Sequence, residues 1–269
     1  MKKMLRGLLT YGFLGVAAFL SIFPFVWMLI GMTNTSTEIT KGSMKIGHEL
    51  FNNFTKLIEI VNLPQVFYNS VKVAVLTTVI SILVTSMAAY GFQFYQSKIR
   101  ERIFSSLLLA MMVPFAALMI PLFKLIGKFG LLNTHAALVL PTVGSIFLIF
   151  FFRQSFKSFP MSIIEAARMD GCNEVGIFFK IVVPCMKSSY AAGAIYAFMM
   201  SWNSYLWPLI ALQSADKKTL PLVISSLSSA YFPDFGVIMC AIVVATLPML
   251  LIFFLLQKQF TQGMLGSDK

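Results

Sequence analysis

Long apolar stretches alternate with short polar clusters along this chain, the apolar ones at about residues 8–32, 66–94, 103–126, 136–152, 182–212 and 235–256. Each is close to or longer than the roughly 17–25 residues with which an α-helix crosses a bilayer. The pattern predicts an all-α integral membrane protein with six transmembrane helices. The last stretch carries no charge, and at about 1.5 Å per residue it reaches roughly 33 Å, enough to span. The first is longer than the about 7–15 apolar residues of a signal peptide, and no small-residue cleavage site followed by a soluble domain comes after it. It reads as an uncleaved span, kinked at Pro24, which a membrane helix tolerates.

Four of the stretches carry interruptions or stripes that bear on packing. Pro114 and Pro121 fall in the third and Pro141 and Gly144 in the fourth, where freed backbone groups must be buried in protein or face a water-filled path. Ser81, Thr85 and Ala89 recur every four residues in the second stretch, as do Ser189, Gly193, Ala197 and Ser201 in the fifth. Such small-residue stripes let helices approach closely in lipid, here within the chain. The outer part of the fifth stretch, Trp202-Asn203-Ser204-Tyr205-Leu206-Trp207-Pro208, is rich in amphipathic aromatics that suit a membrane interface. Asn203 is expected to be a buried amide in need of partners. The mixed polar segment 33–65 reads as the longest external loop.

Residues 158–187 break the apolar pattern most sharply, gathering Arg168, Lys180 and Lys187 with Glu165, Asp170 and Glu174. They belong in water. Pro160 suits a first helical position, Ser162-x-x-Glu165 fits a capping box, and Gly171 closes the turn where a left-handed residue is needed. A short amphipathic helix follows. Ala166 and Ala167 leave a flat face beside Glu165, on which another protein can approach the backbone, so the element reads as a docking knob.

Composition agrees with the membrane reading: of 269 residues 58% are hydrophobic and only 12% charged, against about 25% in soluble domains. The net charge of +11 is spread in small groups beside apolar segments, not massed on one face, and so points to membrane orientation and away from nucleic acid. One set contains every arginine: Lys2, Lys3, Arg6, Lys98, Arg100, Arg102, Arg153, Lys157, Arg168, Lys180, Lys187, Lys258 and Lys269. The other loops hold only lysines. By the positive-inside rule both termini and the Glu165 loop are cytoplasmic.

Several chemistries are missing. Gly127-Lys128 lacks the first glycine and the Ser or Thr of a phosphate loop, so the chain has no ATP site of that kind. His48 and His135 lie far apart, and Cys172, Cys185 and Cys240 show neither zinc nor disulfide-framework spacing, so no metal site is expected. No acid, His or Cys pair inside an apolar run suits a proton relay or nucleophilic catalysis. The residues alone thus give a six-span pore-forming subunit, not an enzyme, whose energy comes from a partner docked at the Glu165 loop.

Glu165-Ala166-Ala167, then Asp170-Gly171, then Ile181 and Pro184 resemble the EAA loop of permease subunits of binding-protein-dependent ABC importers, in unbroken spacing. Tyr68-Asn69-Ser70, Ala88-Ala89-Tyr90, Gly130-Leu131-Leu132-Asn133-Thr134, Trp202-Asn203 and Trp207-Pro208-Leu209 are similar to the carbohydrate branch, near its smaller maltose permeases. The likeness covers about residues 67–258. Ser188 departs from a proline often found after the Ile-x-x-Pro, and the tail 262–269 is shorter than the family's glycine-rich ending, which leaves tail contacts with the ATPases unassigned.

The resemblance implies a type I importer fold in a bacterial cell (inner or plasma) membrane. Its layout is an N-terminal helix and external loop over 1–66, a transmembrane core over 67–257 and a cytoplasmic tail over 258–269. The implied partners are a second homologous permease, two ATPase subunits that carry ATP and Mg, an extracellular or periplasmic sugar-binding protein, the sugar and membrane lipid. No cofactor is implied on this chain. Glu165, Ala166, Ala167, Asp170 and Gly171 would couple to the ATPase, with Ile181 and Pro184 supporting the loop. Trp202, Asn203, Tyr205 and Trp207 would line a path for an oligosaccharide, rings stacking and amide bonding. Alternatives are a permease for a polyol phosphate, amino acid or peptide, or a self-sufficient carrier or channel.

Overall fold

The computed structural model describes residues 2–264, with Lys2, Lys3, Arg6, Lys258 and Lys269 outside the described side chains. The described elements are helices joined by turns and loops. In order they are α1 (Lys2–Gly31), α2 (Ser36–Thr40), α3 (Leu50–Ile60), α4 (Leu63–Phe94), α5 (Lys98–Ala110), α6 (Phe115–Lys128), α7 (His135–Val139) and α8 (Ile146–Phe156). Then come α9 (Met161–Met169), α10 (Glu174–Ile177), a π-helical turn (Phe178–Val182), α11 (Val183–Cys185), α12 (Lys187–Trp202), α13 (Leu206–Ala211), α14 (Leu220–Ser228) and α15 (Phe235–Met264).

Among the described residues three helices are long and apolar enough to cross a membrane, over Leu9–Gly31, Leu63–Phe94 and Phe235–Leu255. Two bent pairs add to them, α5 with α6 at 104° and the segment Glu174–Cys185 with α12 at 86°, giving up to five spans by length and composition. The remaining apolar helix, α8, is shorter. Thus the first, second and sixth apolar stretches are continuous, while the third, fourth and fifth are broken. The breaks have local causes. Pro114 caps α6 in extended conformation, which a proline's fixed φ and missing N–H favour over continuing the α5 helix. The fourth stretch splits into α7 and α8 around Pro141 and Gly144, with Ser145 capping α8 by accepting from Leu148 N. The fifth turns at Met186, between α11 and α12, and breaks again before α13. Pro24 and Pro248 stay inside α1 and α15.

The chain divides into two units, residues 1–64 with 223–248 and residues 65–222 with 249–269. In the first, a Thr35–Glu38 capping box starts α2. Asn53, buried on α3, donates to Met32 O at 3.1 Å and Asn34 O at 2.9 Å, closing the carbonyl end of α1. Asp234 receives Ser36 Oγ at 2.8 Å and pairs with Lys56 at 3.4 Å.

The second unit holds two apolar clusters. One joins Ala89, Tyr90 and Phe94 of α4 with Phe104, Leu148, Phe152, Phe156 and Phe159, and with Ile164 and Ala167 of α9 and Ile177, Phe178 and Val182 beyond it. The stripe Ser81, Thr85, Ala89 is buried, as are Gly193 and Ala197 of the α12 stripe. A Cβ on Gly193 would lie 2.8 Å from the Phe152 ring and 3.2 Å from Ile82, so the close helix approach expected there is real and needs glycine. The second cluster gathers Val73, Ile126, Leu138, Trp207, Ala211, Leu212 and Leu222. At its rim the loop 213–220 is tied on both sides. Asn69 donates to Asp216 O and Lys218 O, Ser70 Oγ accepts from Leu220 N, and Asn133 accepts from Gln213 N and Ser214 N. Asn133 holds φ 59°, a left-handed backbone that asparagine tolerates.

Candidate functional site

Helix α9 carries Glu165 and Ala166 on its exposed side and Ile164 and Ala167 on its buried side. The flat face read from the paired alanines is therefore Ala166 alone beside Glu165, since Ala167 points into the aromatic cluster. Its N-cap is Pro160 and makes no side-chain cap bond. The Ser162–Glu165 capping box does not form, because the helix starts after Pro160 and Ser162 is already inside it. The C-terminus closes as the sequence predicts: Gly171 has φ +77°, Gly171 N donates to Arg168 O and Cys172 N to Ala167 O, each at 3.0 Å. This is a Schellman turn. Asp170 is the exposed C-cap.

Beyond the turn, Asn173 caps α10 by accepting from Gly176 N at 2.7 Å, and the chain widens into the π turn, where Val183 N bonds Phe178 O. Ile181 is half-buried against the aromatic cluster and Pro184 is exposed. A polar contact not read from the sequence locks the loop. Arg168 Nε donates to Glu174 Oε1 at 2.7 Å, and Tyr90 Oη of α4 donates to Glu174 Oε2 at 2.7 Å. The Arg168 guanidinium also lies 5.3 Å from the Tyr95 ring. These donors, Arg168 first, hold the Glu174 carboxyl down at about 2. Arg168 and Glu174 sit six positions apart across a glycine turn, so no helical period announces their meeting. A second unforeseen pair, Arg153 with Glu101 at 2.6 Å, ties α8 to α5, with the buried guanidinium 4.0 Å over the Phe104 ring.

The aromatic segment spreads over different environments. Trp202 is buried between Phe198, stacked at 5.5 Å, and Phe67, edge-on at 6.1 Å. Asn203 is exposed, contrary to the expected buried amide, because it caps the C-terminus of α12 and folds its Nδ2 back to Met199 O. Tyr205 packs at the rim of the second cluster. Trp207 is buried, donates Nε1 to Ala137 O at 2.8 Å, and lines a cavity of about 320 Å³. Among the described residues no charged side chain lines that cavity. Thr77, Ser81, Thr142, Ser145, Ser201, Ser204, Thr219 and Tyr196 supply hydroxyls, and Phe115, Trp207 and Met200 supply apolar surface.

Residues 81–266 match the family model described as "Binding-protein-dependent transport system inner membrane component". The chain belongs to this family. It is the membrane permease of an ABC importer and carries no ATP-binding motif of its own. Over 269 residues the permease is 53% identical to the lactose transport system permease protein LacG of Rhizobium radiobacter, covering 100% of this chain and 98% of the relative. It is 36% identical over 257 residues to the arabinooligosaccharides transport system permease protein AraQ of Bacillus subtilis, covering 94% and 92%. Among solved structures, a chain from the crystal structure of a bacterial ABC transporter involved in the import of the acidic polysaccharide alginate superposes with a TM-score of 0.84. It is 21% identical to the permease, with 97% of this chain and 98% of that one covered. The shared fold is that of a type I importer permease.

Proposed function

We propose that this permease imports a neutral sugar, a disaccharide or short oligosaccharide, and that α9 receives the movement of a partner ATPase. The observation that carries the coupling half is the mounting of α9: one face open at Glu165 and Ala166, the other packed through Ile164 and Ala167 into the cluster that includes α4 and α8. A helix held this way moves with the membrane core as a lever, so closure of an ATPase dimer beneath it rocks the spans between inward and outward openings. The sugar half rests on the relatives' lactose and arabinooligosaccharide substrates and on the charge-free, hydroxyl- and aromatic-lined interior. An anionic solute would call for a pathway arginine, and the described lining has none.

In this reading Glu165, Ala166, Ala167, Asp170 and Gly171 form the ATPase contact and its turn, with Ile181 and Pro184 setting the return into the membrane. Of Trp202, Asn203, Tyr205 and Trp207, Trp207 has the stronger claim to the solute path because it faces the cavity. Both termini lie in the cytoplasm. The working assembly pairs this chain with a second permease, two ATPases that bind ATP and Mg, and an external sugar-binding protein. The 1–66 segment and the 258–269 tail flank the transport core.

Glu165→Arg in the co-expressed complex is the test. Loss of the co-purifying ATPase together with loss of ATP-driven uptake of labelled lactose or arabinooligosaccharide supports the reading. Sugar uptake that continues without ATP or without the ATPase would make the chain a carrier or channel and end the coupling proposal.

A further inference from the structure

Val73, Thr77 and Ser81 of α4 turn toward the cavity beside Trp207, whereas Lys72, Leu76 and Ile80 turn toward a second groove of about 670 Å³, shared with α7 and the loop 213–220. The lining of this groove changes character along its length. On α4 Lys72 precedes Leu76 and Ile80, and on α7 His135 precedes Val139 and Leu140. The polar ends meet at the loop, where Asn69 donates to Asp216 O at 2.8 Å and His135 Nε2 to Lys217 O at 3.1 Å. The groove is open to its surroundings: Lys72 is exposed, as are Leu76 and Leu140 at 42% and 53%. Its depth follows from the continuity of α4. Tyr90 and Phe94 lie in the aromatic cluster that receives α9, and Lys72 stands roughly 27–33 Å from them at about 1.5 Å per residue, one hydrocarbon thickness. Lys72 is thus level with the lipid phosphates of the leaflet away from α9, and Leu76 and Ile80 reach about 6 and 12 Å further into the hydrocarbon.

We propose that this groove binds an anionic phospholipid, its phosphate on the Lys72 and Lys217 ammonium groups and an acyl chain along Leu76, Ile80 and Leu140. The site is independent of which solute the permease carries. A lysine on a membrane helix is costly unless an opposite charge or water meets it, and among the described residues neither Lys72 nor Lys217 forms an ion pair. Lys217 Nζ gives one hydrogen to Asn133 O at 2.8 Å and keeps two for a ligand. That bond, with those of Asn69 and His135 to the loop, holds the second ammonium at the polar end of the groove. Asp216 is the one carboxylate on the lining, so two lysines against it leave a single positive charge, which suits a head group with one negative charge such as phosphatidylglycerol. The apolar half decides between a lipid and other anions. A free phosphate would use the polar end alone, and an acidic soluble protein would not reach Leu76 and Ile80 at hydrocarbon depth. A phospholipid fills both halves in the order in which the groove presents them.

The complete complex, purified in detergent, is titrated with phosphatidylglycerol or with phosphatidylcholine of the same chains, and bound lipid is counted by native mass spectrometry. Inorganic phosphate is added as a competitor, and the Tm of each lipid-free variant is measured in parallel. Phosphatidylglycerol should bind about 5-fold or more tightly than phosphatidylcholine, and Lys72→Gln and Lys217→Gln should each weaken it about 5-fold, the worth of one basic residue at a membrane surface. Lys72→Arg, which keeps the charge, and Lys41→Gln, an exposed lysine at the end of α2 outside the groove, should bind it as the native complex does. Inorganic phosphate should not displace it. Equal binding of the two lipids, or phosphatidylglycerol binding untouched by both glutamine variants, would leave the groove to water or to a partner subunit and overturn the site. Displacement by inorganic phosphate would make it a site for a soluble anion and overturn the lipid assignment. A loss of binding in Lys72→Gln that comes with a lowered lipid-free Tm would give the lysine a structural role and overturn the proposal equally.

Discussion

Gly171→Ala probes the mounting of helix α9 without touching its packing. Gly171 holds φ +77°, and a Cβ placed there meets nothing within 4 Å. The cost is therefore conformational alone. A left-handed L-residue costs about 1–2 kcal/mol, against which alanine recovers about 0.4–1 kcal/mol by restricting the unfolded chain. The balance is roughly 1 kcal/mol, about a fivefold rise in the population whose turn is open. What opens is defined: the Gly171 and Cys172 amides lose their bonds to Arg168 O and Ala167 O. Hydrogen exchange on the assembled complex should show faster exchange over residues 166–173 while α12 stays protected. With α9 as the proposed ATPase contact, ATP hydrolysed per molecule imported should rise as its mounting slackens. Gly171→Asn, which tolerates the left-handed backbone, should fall between native and alanine. Equal exchange in native, asparagine and alanine proteins would show that the turn is not set by its φ angle and would refute the reasoning.

Two further outcomes follow from other contacts. Gly193→Ala keeps an ordinary helical backbone but drives a methyl to within 2.8 Å of the fully buried Phe152 ring, so it should destabilise by about 1–3 kcal/mol, read as a lowered Tm in detergent, whereas Gly171→Ala shifts Tm less. Glu174, lowered to about 2 from an ordinary 4.5, lends stability that is complete above about pH 4.5 and is lost as the pH falls through about 2. The Tm gap between native protein and Glu174→Gln should therefore be constant above pH 4.5 and shrink below it. A gap that widens with acid would contradict the Arg168–Glu174–Tyr90 contact.

The helical class and the apolar stretches were legible because lipid demands length and continuity, and residues 66–94 carry both. The breaks at Pro114, Pro141 and Met186 were harder: proline is tolerated in membrane helices, as Pro24 and Pro248 show, so its presence alone does not say where a helix stops. At the end of α9, Gly171 was readable because a left-handed turn has a residue signature. The false capping box shows the converse, since Ser-x-x-Glu recurs wherever a helix holds both, and only the start after Pro160 decides between them. Asn203 misled for a related reason. Its place among aromatics suggested burial, but a residue ending a helix serves its own backbone first. The Arg168–Glu174–Tyr90 contact was invisible because it joins residues across a turn and from a distant helix, where no local period operates.

The π turn at Phe178–Val182 gives the spacing of the loop after α9 a meaning beyond distance. A π turn accommodates one residue more than an α turn in the same rise, and one residue is worth about 100° of rotation around a helix. The interval from Gly171 to Pro184 therefore acts as a phase setting. It fixes the azimuth at which the chain reaches Met186 and with it the direction in which Tyr190 and Gly193 face Phe152. Loop length and membrane packing are thereby one quantity, since a residue added or removed between α9 and Met186 would turn the glycine contact of α12 away from Phe152.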